Sequence, residues 1–116
     1  MRVLILEDDP FISMDLQGIL EEEGHQVVGT FASVDAARPH VNRGLDYALL
    51  DIDVAGGKSF TIAEELQDLC IPFAFVSASP RSDIPAAFQV VNFISKPYDE
   101  KAILRSVGAG HRMLPQ

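Results

Sequence analysis

Four apolar runs of the chain each end in residues able to do chemistry. Residues 3–6 run into Glu7-Asp8-Asp9, and residues 47–50 run into Asp51-Ile52-Asp53. Residues 73–76 end at Ser77, and residues 91–94 lead into Ser95-Lys96-Pro97. If these ends meet, one rim collects carboxylates, a hydroxyl and an ammonium. Carboxylates crowded together repel one another, which raises a pKa or calls for a compensating cation. Lys96 offsets one charge, and a hard divalent ion suits the remainder. Mg²⁺ is the natural choice, because it takes one or two protein carboxylates and keeps its waters and phosphate oxygens. Metal, ammonium and hydroxyl together can neutralise the equatorial oxygens of a transferring phosphoryl group. A carboxylate of the cluster can then act as nucleophile and become an aspartyl phosphate. By residue type alone, Asp51 and Asp53 are both candidates.

The elements that must position these residues follow from the pattern of the chain. Residues 3–6, 27–31, 47–50, 73–76 and 91–94 are short, rich in β-branched and aromatic residues, and apolar on both faces, as buried parallel strands are. Between them, Ile12, Leu16, Ile19 and Leu20 recur at helical spacing, as do Ile62, Leu66 and Leu69, and later Ile103 and Val107. This predicts an α/β fold, a flavodoxin-like (βα)5 doubly wound parallel sheet of strand order 2-1-3-4-5, in a single domain over residues 1–116. In that order the first and third strands flank the switch point where such sheets bind ligands, so their acidic ends face one crevice. Pro80 and Pro85 bracket what should be the fourth helix and predict that it is short or irregular, and Pro39 predicts a shortened second helix.

Composition narrows the class of function. The chain has 116 residues, 47% of them hydrophobic, enough for one buried core. A formal charge of −8 without a basic stripe argues against direct nucleic-acid binding. No apolar stretch is long enough for a membrane span and no signal core opens the chain, so a cytoplasmic protein without membrane contact is expected. Cys70, the only cysteine, can form neither an internal disulfide nor a cysteine zinc site, and is expected to be a small buried hydrophobe. Asp9-Pro10 and Ser79-Pro80 read as helix caps. His25, His40 and His111 fall on separate elements and are not spaced as metal ligands.

Taken in order, these sites resemble the receiver domain of bacterial two-component response regulators over essentially the whole chain. LILEDDP resembles the family's first strand with its acidic pair, here Glu7 and Asp8. YALLD places Asp51 where the family's phosphoacceptor stands, Ser77 occupies the hydroxyl position, and NFISKP matches the family's lysine and cis-linked proline at Lys96 and Pro97. Phe93 stands where an aromatic switch residue is expected, to move together with Ser77. The resemblance implies that Asp8 and Asp51 bind Mg²⁺ directly, that Asp53 contributes its backbone carbonyl and that Glu7 acts through water. It implies a phosphohistidine donor on a histidine kinase or histidine phosphotransferase. It also implies a downstream protein bound through the face of the fourth helix and fifth strand. Such a chain is a signalling phosphoacceptor that catalyses only its own phosphorylation and dephosphorylation, and a stand-alone receiver is expected because no effector segment follows GAGHRMLPQ.

The Ala55-Gly56-Gly57 loop departs from the proline-bearing loop of many receivers; a softer loop is expected, of the kind found in receivers paired with HWE-family kinases. Asp53 is a further departure, since a carboxylate beside the phosphoryl site should alter the approach of small donors and water. A rival reading is a haloacid-dehalogenase-like phosphatase using Asp51 and Asp53 as a DxD motif, but that family's motif follows the first strand and is joined by a late acidic pair that this chain lacks. A Toprim-like nuclease also carries a DxD motif, and the charge of the chain argues against it.

Overall fold

In the computed structural model, which describes residues 1–112 and their side chains through residue 108, the apolar runs form one five-stranded parallel sheet. Its strands are β1 (Arg2–Leu6), β2 (Gln26–Phe31), β3 (Tyr47–Leu50), β6 (Phe73–Ser77) and β7 (Asn92–Ser95), in the spatial order β2-β1-β3-β6-β7. This is the expected 2-1-3-4-5 arrangement. Two further strands, β4 (Asp53–Val54) and β5 (Gly57–Lys58), form a separate antiparallel hairpin. The helices are α1 (Pro10–Glu22), α2 (Val34–Ala37), α3 (Phe60–Asp68) and α4 (Glu100–Arg112).

Alternation along the strands sends successive side chains to opposite faces, and each face carries its own core. Leu4, Leu6, Leu50 and Phe75 pack with Val34 and Ala37 of α2 and with Ile62 and Leu66 of α3. Val3, Ile5, Leu49 and Val76 pack with Leu16 and Leu20 of α1 and with Ile103 and Val107 of α4. The sheet is thus covered on both sides. β3 and β6 are buried throughout and β1 from Val3 to Leu6, but β2 lies at the sheet edge and is only half-buried, so the expectation of five strands apolar and buried on both faces fails there. β7, at the other edge, is likewise partly exposed.

Local chemistry sets the element ends. α1 starts where the Asp9 carboxylate accepts the N–H groups of Phe11 at 2.9 Å and Ile12 at 3.3 Å, with Pro10 leading the helix. It ends at Gly24, whose φ of +87° a residue with a side chain rarely adopts. α2 is a single turn that passes into a 3₁₀ turn at Arg38–His40 containing Pro39, as the proline predicted. Between β6 and β7 the described chain has no α-helix, only two 3₁₀ turns at Arg81–Asp83 and Ala86–Phe88. Phe88 anchors this segment by packing its ring about 6 Å from those of Phe60, Phe73 and Phe75, and burying such a ring is worth about 2 to 3 kcal/mol.

One expectation about burial is corrected. Cys70 is exposed, not buried, because it follows α3 in a left-handed conformation (φ +57°) and caps it by donating its N–H to the Gln67 carbonyl at 3.0 Å. The Ala55-Gly56-Gly57 loop forms the turn of the β4–β5 hairpin, which uses the positive φ of Gly56 and Gly57 and docks where the Ala55 N–H meets the Ala32 carbonyl at 3.1 Å. The side chain of His111 lies outside the described residues. Among them, no helix is long and apolar enough to cross a membrane.

Candidate functional site

Strand register assembles the rim. β1 and β3 pair with Leu6 opposite Leu50, so Glu7 and Asp51 leave adjacent strands at the same level, and the Asp51 N–H donates to the Leu6 carbonyl at 2.8 Å. β6 and β7 pair with Ser77 opposite Ser95, and the Lys96 N–H continues that ladder to the Ser77 carbonyl at 2.9 Å. Lys96 is thereby aimed along the rim. Its ammonium donates to Glu7 Oε1 at 2.5 Å and to Asp51 Oδ2 at 3.2 Å. The other oxygen of Asp51 accepts the Ile52 N–H at 2.8 Å, and Glu7 Oε2 accepts the Asp9 N–H at 3.2 Å.

The carboxyls differ in their exposure. Glu7 is 4% exposed, Asp51 is half-buried and Asp8 faces solvent. Burial pushes the Glu7 carboxyl up to about 7, against the lowering by Lys96 and with help from neighbouring Asp51. Burial works against the Lys96 ammonium too, but its bond to Glu7 and the charge of Asp51 outweigh it and hold the group above the ordinary lysine value. One oxygen each of Glu7, Asp8 and Asp51 lie within 4.8 Å of one another. An all-oxygen donor set of this kind, with Asp8 on its open side, fits a hard divalent cation.

The remaining residues singled out in the sequence sit around this centre. Ser77 is buried, and its hydroxyl accepts the Ser79 N–H at 3.1 Å. Asp53 lies on β4 with its carboxylate exposed, bonded to the Lys58 ammonium and accepting the Ser79 hydroxyl at 3.1 Å. Lys58 first, and Ser79 with it, hold that carboxyl below its usual range. Asp53 is therefore not one of the three clustered carboxylates. Ser79, expected to cap a helix, does not: only 3₁₀ turns follow it before β7, and its hydroxyl donates to Asp53 instead. Phe93 is half-buried on β7, and the Lys96–Pro97 peptide is cis.

Sequence reasoning passed over three side chains here. Lys58 pairs with Asp53 across the hairpin, and the Gly56-Gly57 turn between them was the available signal. Tyr98, just past the cis bond, donates its hydroxyl to Asp15 of α1 at 2.6 Å, and burial together with that carboxylate keeps its proton on well above the ordinary tyrosine value. Arg81 reaches the carbonyls of Gln89 and Val91, a contact no local pattern announces.

Comparison with known proteins agrees with this arrangement. The family model described as the response regulator receiver domain matches residues 3–108. The phyllosphere-induced regulator PhyR of Methylorubrum extorquens is 34% identical over 85 residues, which is 68% of this chain and 31% of that protein. The chain spans less than half the length of the first two curated relatives it matches, 47% and 31%. Among solved structures, the receiver domain of PhyR from Erythrobacter litoralis superposes with a TM-score of 0.85 at 26% identity, covering 99% of this chain and 92% of that one. SdrG from Sphingomonas melonis gives 0.83 at 32% identity, covering 96% of each chain. With the family model covering nearly the whole described chain and the acidic rim standing at the carboxyl ends of β1 and β3, the protein belongs to the response regulator receiver domain family of two-component systems.

Proposed function

We propose that the chain receives a phosphoryl group from a phosphohistidine, on a histidine kinase or histidine phosphotransferase, onto the carboxylate of Asp51. The observation that carries this reading is the Lys96 ammonium bonded at once to Glu7 and Asp51, with Asp8 completing the oxygen cluster. In the transfer a carboxylate oxygen of Asp51 bonds to phosphorus as the P–N bond breaks, and the imidazole leaves with the electron pair and takes up a proton. Lys96, already beside Asp51, meets the charge on the phosphoryl oxygens. Asp8, Asp51 and the Asp53 backbone carbonyl would hold Mg²⁺, with Glu7 acting through water. When bound, that ion supplies neutralisation of the charge gathered on the rim and on the phosphoryl oxygens.

Ser77 is the hydroxyl that turns to the phosphoryl group, giving up the Ser79 N–H, and Phe93 follows it. A downstream protein reads the change on the face formed by β7 and the segment before it. The kinase partner is of the HWE class, a reading that rests on the Gly-Gly form of the hairpin loop, and the setting is cytoplasmic. The phosphatase alternative is disfavoured because its second aspartate would be Asp53, whose carboxylate is engaged by Lys58 and Ser79.

Mapping of the labelled peptide after transfer from a phosphohistidine donor tests the assignment. Asp51→Asn should abolish labelling and Asp53→Asn should retain it. Label found on Asp53 in the unaltered protein would overturn the proposal.

A further inference from the structure

The segment joining β6 to β7 lacks the helix that would satisfy its backbone carbonyls, and side chains take over that task. The Arg81 guanidinium donates to the Gln89 carbonyl and to that of Val91 at 3.3 Å, and its central carbon stands 5.9 Å from the centre of the Phe93 ring. The Gln89 amide donates to the Ile84 carbonyl at 2.6 Å, and Gln67 of α3 reaches the Ala87 carbonyl at 3.4 Å. Below these bonds, Ile84 and Phe88 are buried. Above them, Val90 is 94% exposed, held between the two residues whose carbonyls Arg81 binds.

From this geometry we infer that Arg81 is a latch between Phe93 and the residue 81–91 segment: the same guanidinium fixes the Gln89-Val90-Val91 backbone and rests on the aromatic ring. Each contact alone is modest, since a charge-assisted bond at the surface is screened and a cation over a half-buried ring is weakly held. Together they are cooperative, because one nitrogen of the guanidinium fork, Nη2, meets both carbonyls and stays within reach of them only while the central carbon of the fork is held over Phe93. If the ring leaves, the fork loses its support, the two carbonyls are released, and the presentation of Val90 changes. The latch itself needs no phosphorylation; its use in signalling rests on the phosphoacceptor role of Asp51 proposed above.

Amide hydrogen exchange over residues 82–91 reads the latch directly. In the resting protein, Arg81→Ala should speed exchange there by about tenfold, the loss of roughly one charge-assisted bond, and Phe93→Ala should act similarly. The double variant should be no faster than the faster single one. Arg81→Lys keeps the charge but has no planar group to rest on the Phe93 ring, so it should resemble Arg81→Ala. Exchange unchanged by Arg81→Ala, effects that multiply in the double variant, or full rescue by lysine would each overturn the latch. A second arm adds Mg²⁺ and beryllofluoride, a phosphoryl mimic. The Ile52 amide, bonded to Asp51 Oδ1, reports whether Asp51 is loaded. With Ile52 shifted, exchange over 82–91 should rise in the unaltered protein and stay unmoved in Arg81→Ala; a shifted Ile52 with no change over 82–91 overturns the coupling. An unshifted Ile52 counts against the role of Asp51, and the resting-state comparison then decides the latch by itself.

Discussion

Burial separates Glu7 from the carboxyls beside it and gives it a titration of its own. Its ordinary value is 4.5 and the fold raises it to about 7, chiefly by burial. Between those values the folded chain keeps a proton there that the unfolded chain has lost, so this group's contribution to stability is fully present below pH 4.5 and declines as pH rises through about 7. In chelator, the melting temperature should therefore fall by several degrees from about pH 5 to pH 8. Glu7→Gln, which keeps one acceptor oxygen for Lys96, gives up the bond from the Asp9 N–H and carries no charge, should flatten that fall. Equal pH slopes for the two proteins would show that Glu7 is not the group responsible.

At the scale of elements, α1 presents Phe11 and Met14 to solvent, 81% and 68% exposed. They stand three residues apart on one face of the helix, and Phe11 lies just beyond the Asp8-Asp9 end of the rim. A phosphohistidine-bearing partner approaching Asp51 would meet this apolar pair first. Phe11→Ala with Met14→Ala should slow phosphotransfer from such a partner by about tenfold, while labelling by acetyl phosphate and the melting temperature stay as they were. A matching loss with acetyl phosphate would place the defect in the site and not in docking.

The elements also show what the chain disclosed before folding and what it withheld. β1, β3 and β6 were legible because they are buried on both faces and read as unbroken apolar runs; α1 and α3 were legible from their 3.6-residue period. The exposed edge of β2 was not, since composition does not say which strand ends a sheet. The β4–β5 hairpin has two residues per strand, too few for any period, so its glycines looked like slack. Ser79 shows a similar limit: Ser-Pro announces a helix, but with Pro85 close behind only 3₁₀ turns form, and the hydroxyl goes to Asp53 across the rim. The gathering of Glu7, Asp8, Asp51 and Lys96 was legible because each terminates an apolar run, and parallel register brings such ends together.

For the molecule as a whole, relief of repulsion at the rim should appear as added stability. At about ten times the dissociation constant, Mg²⁺ should contribute roughly 1.4 kcal/mol, near 5 °C in melting temperature for a chain of this size. Asp8→Asn should lose most of that gain, and coincident melting curves with and without Mg²⁺ would contradict the metal site. A practical consequence follows from the thiol of Cys70, which projects from the amino-terminal end of the sheet, across the molecule from the carboxylates. It borders a cleft of about 320 Å³ lined also by Val90 and Val91. With no second cysteine in the sequence, a maleimide dye would attach at one known point. Its emission would follow the polarity of that cleft in real time, turning the cap of α3 into an optical gauge of the far side of the domain.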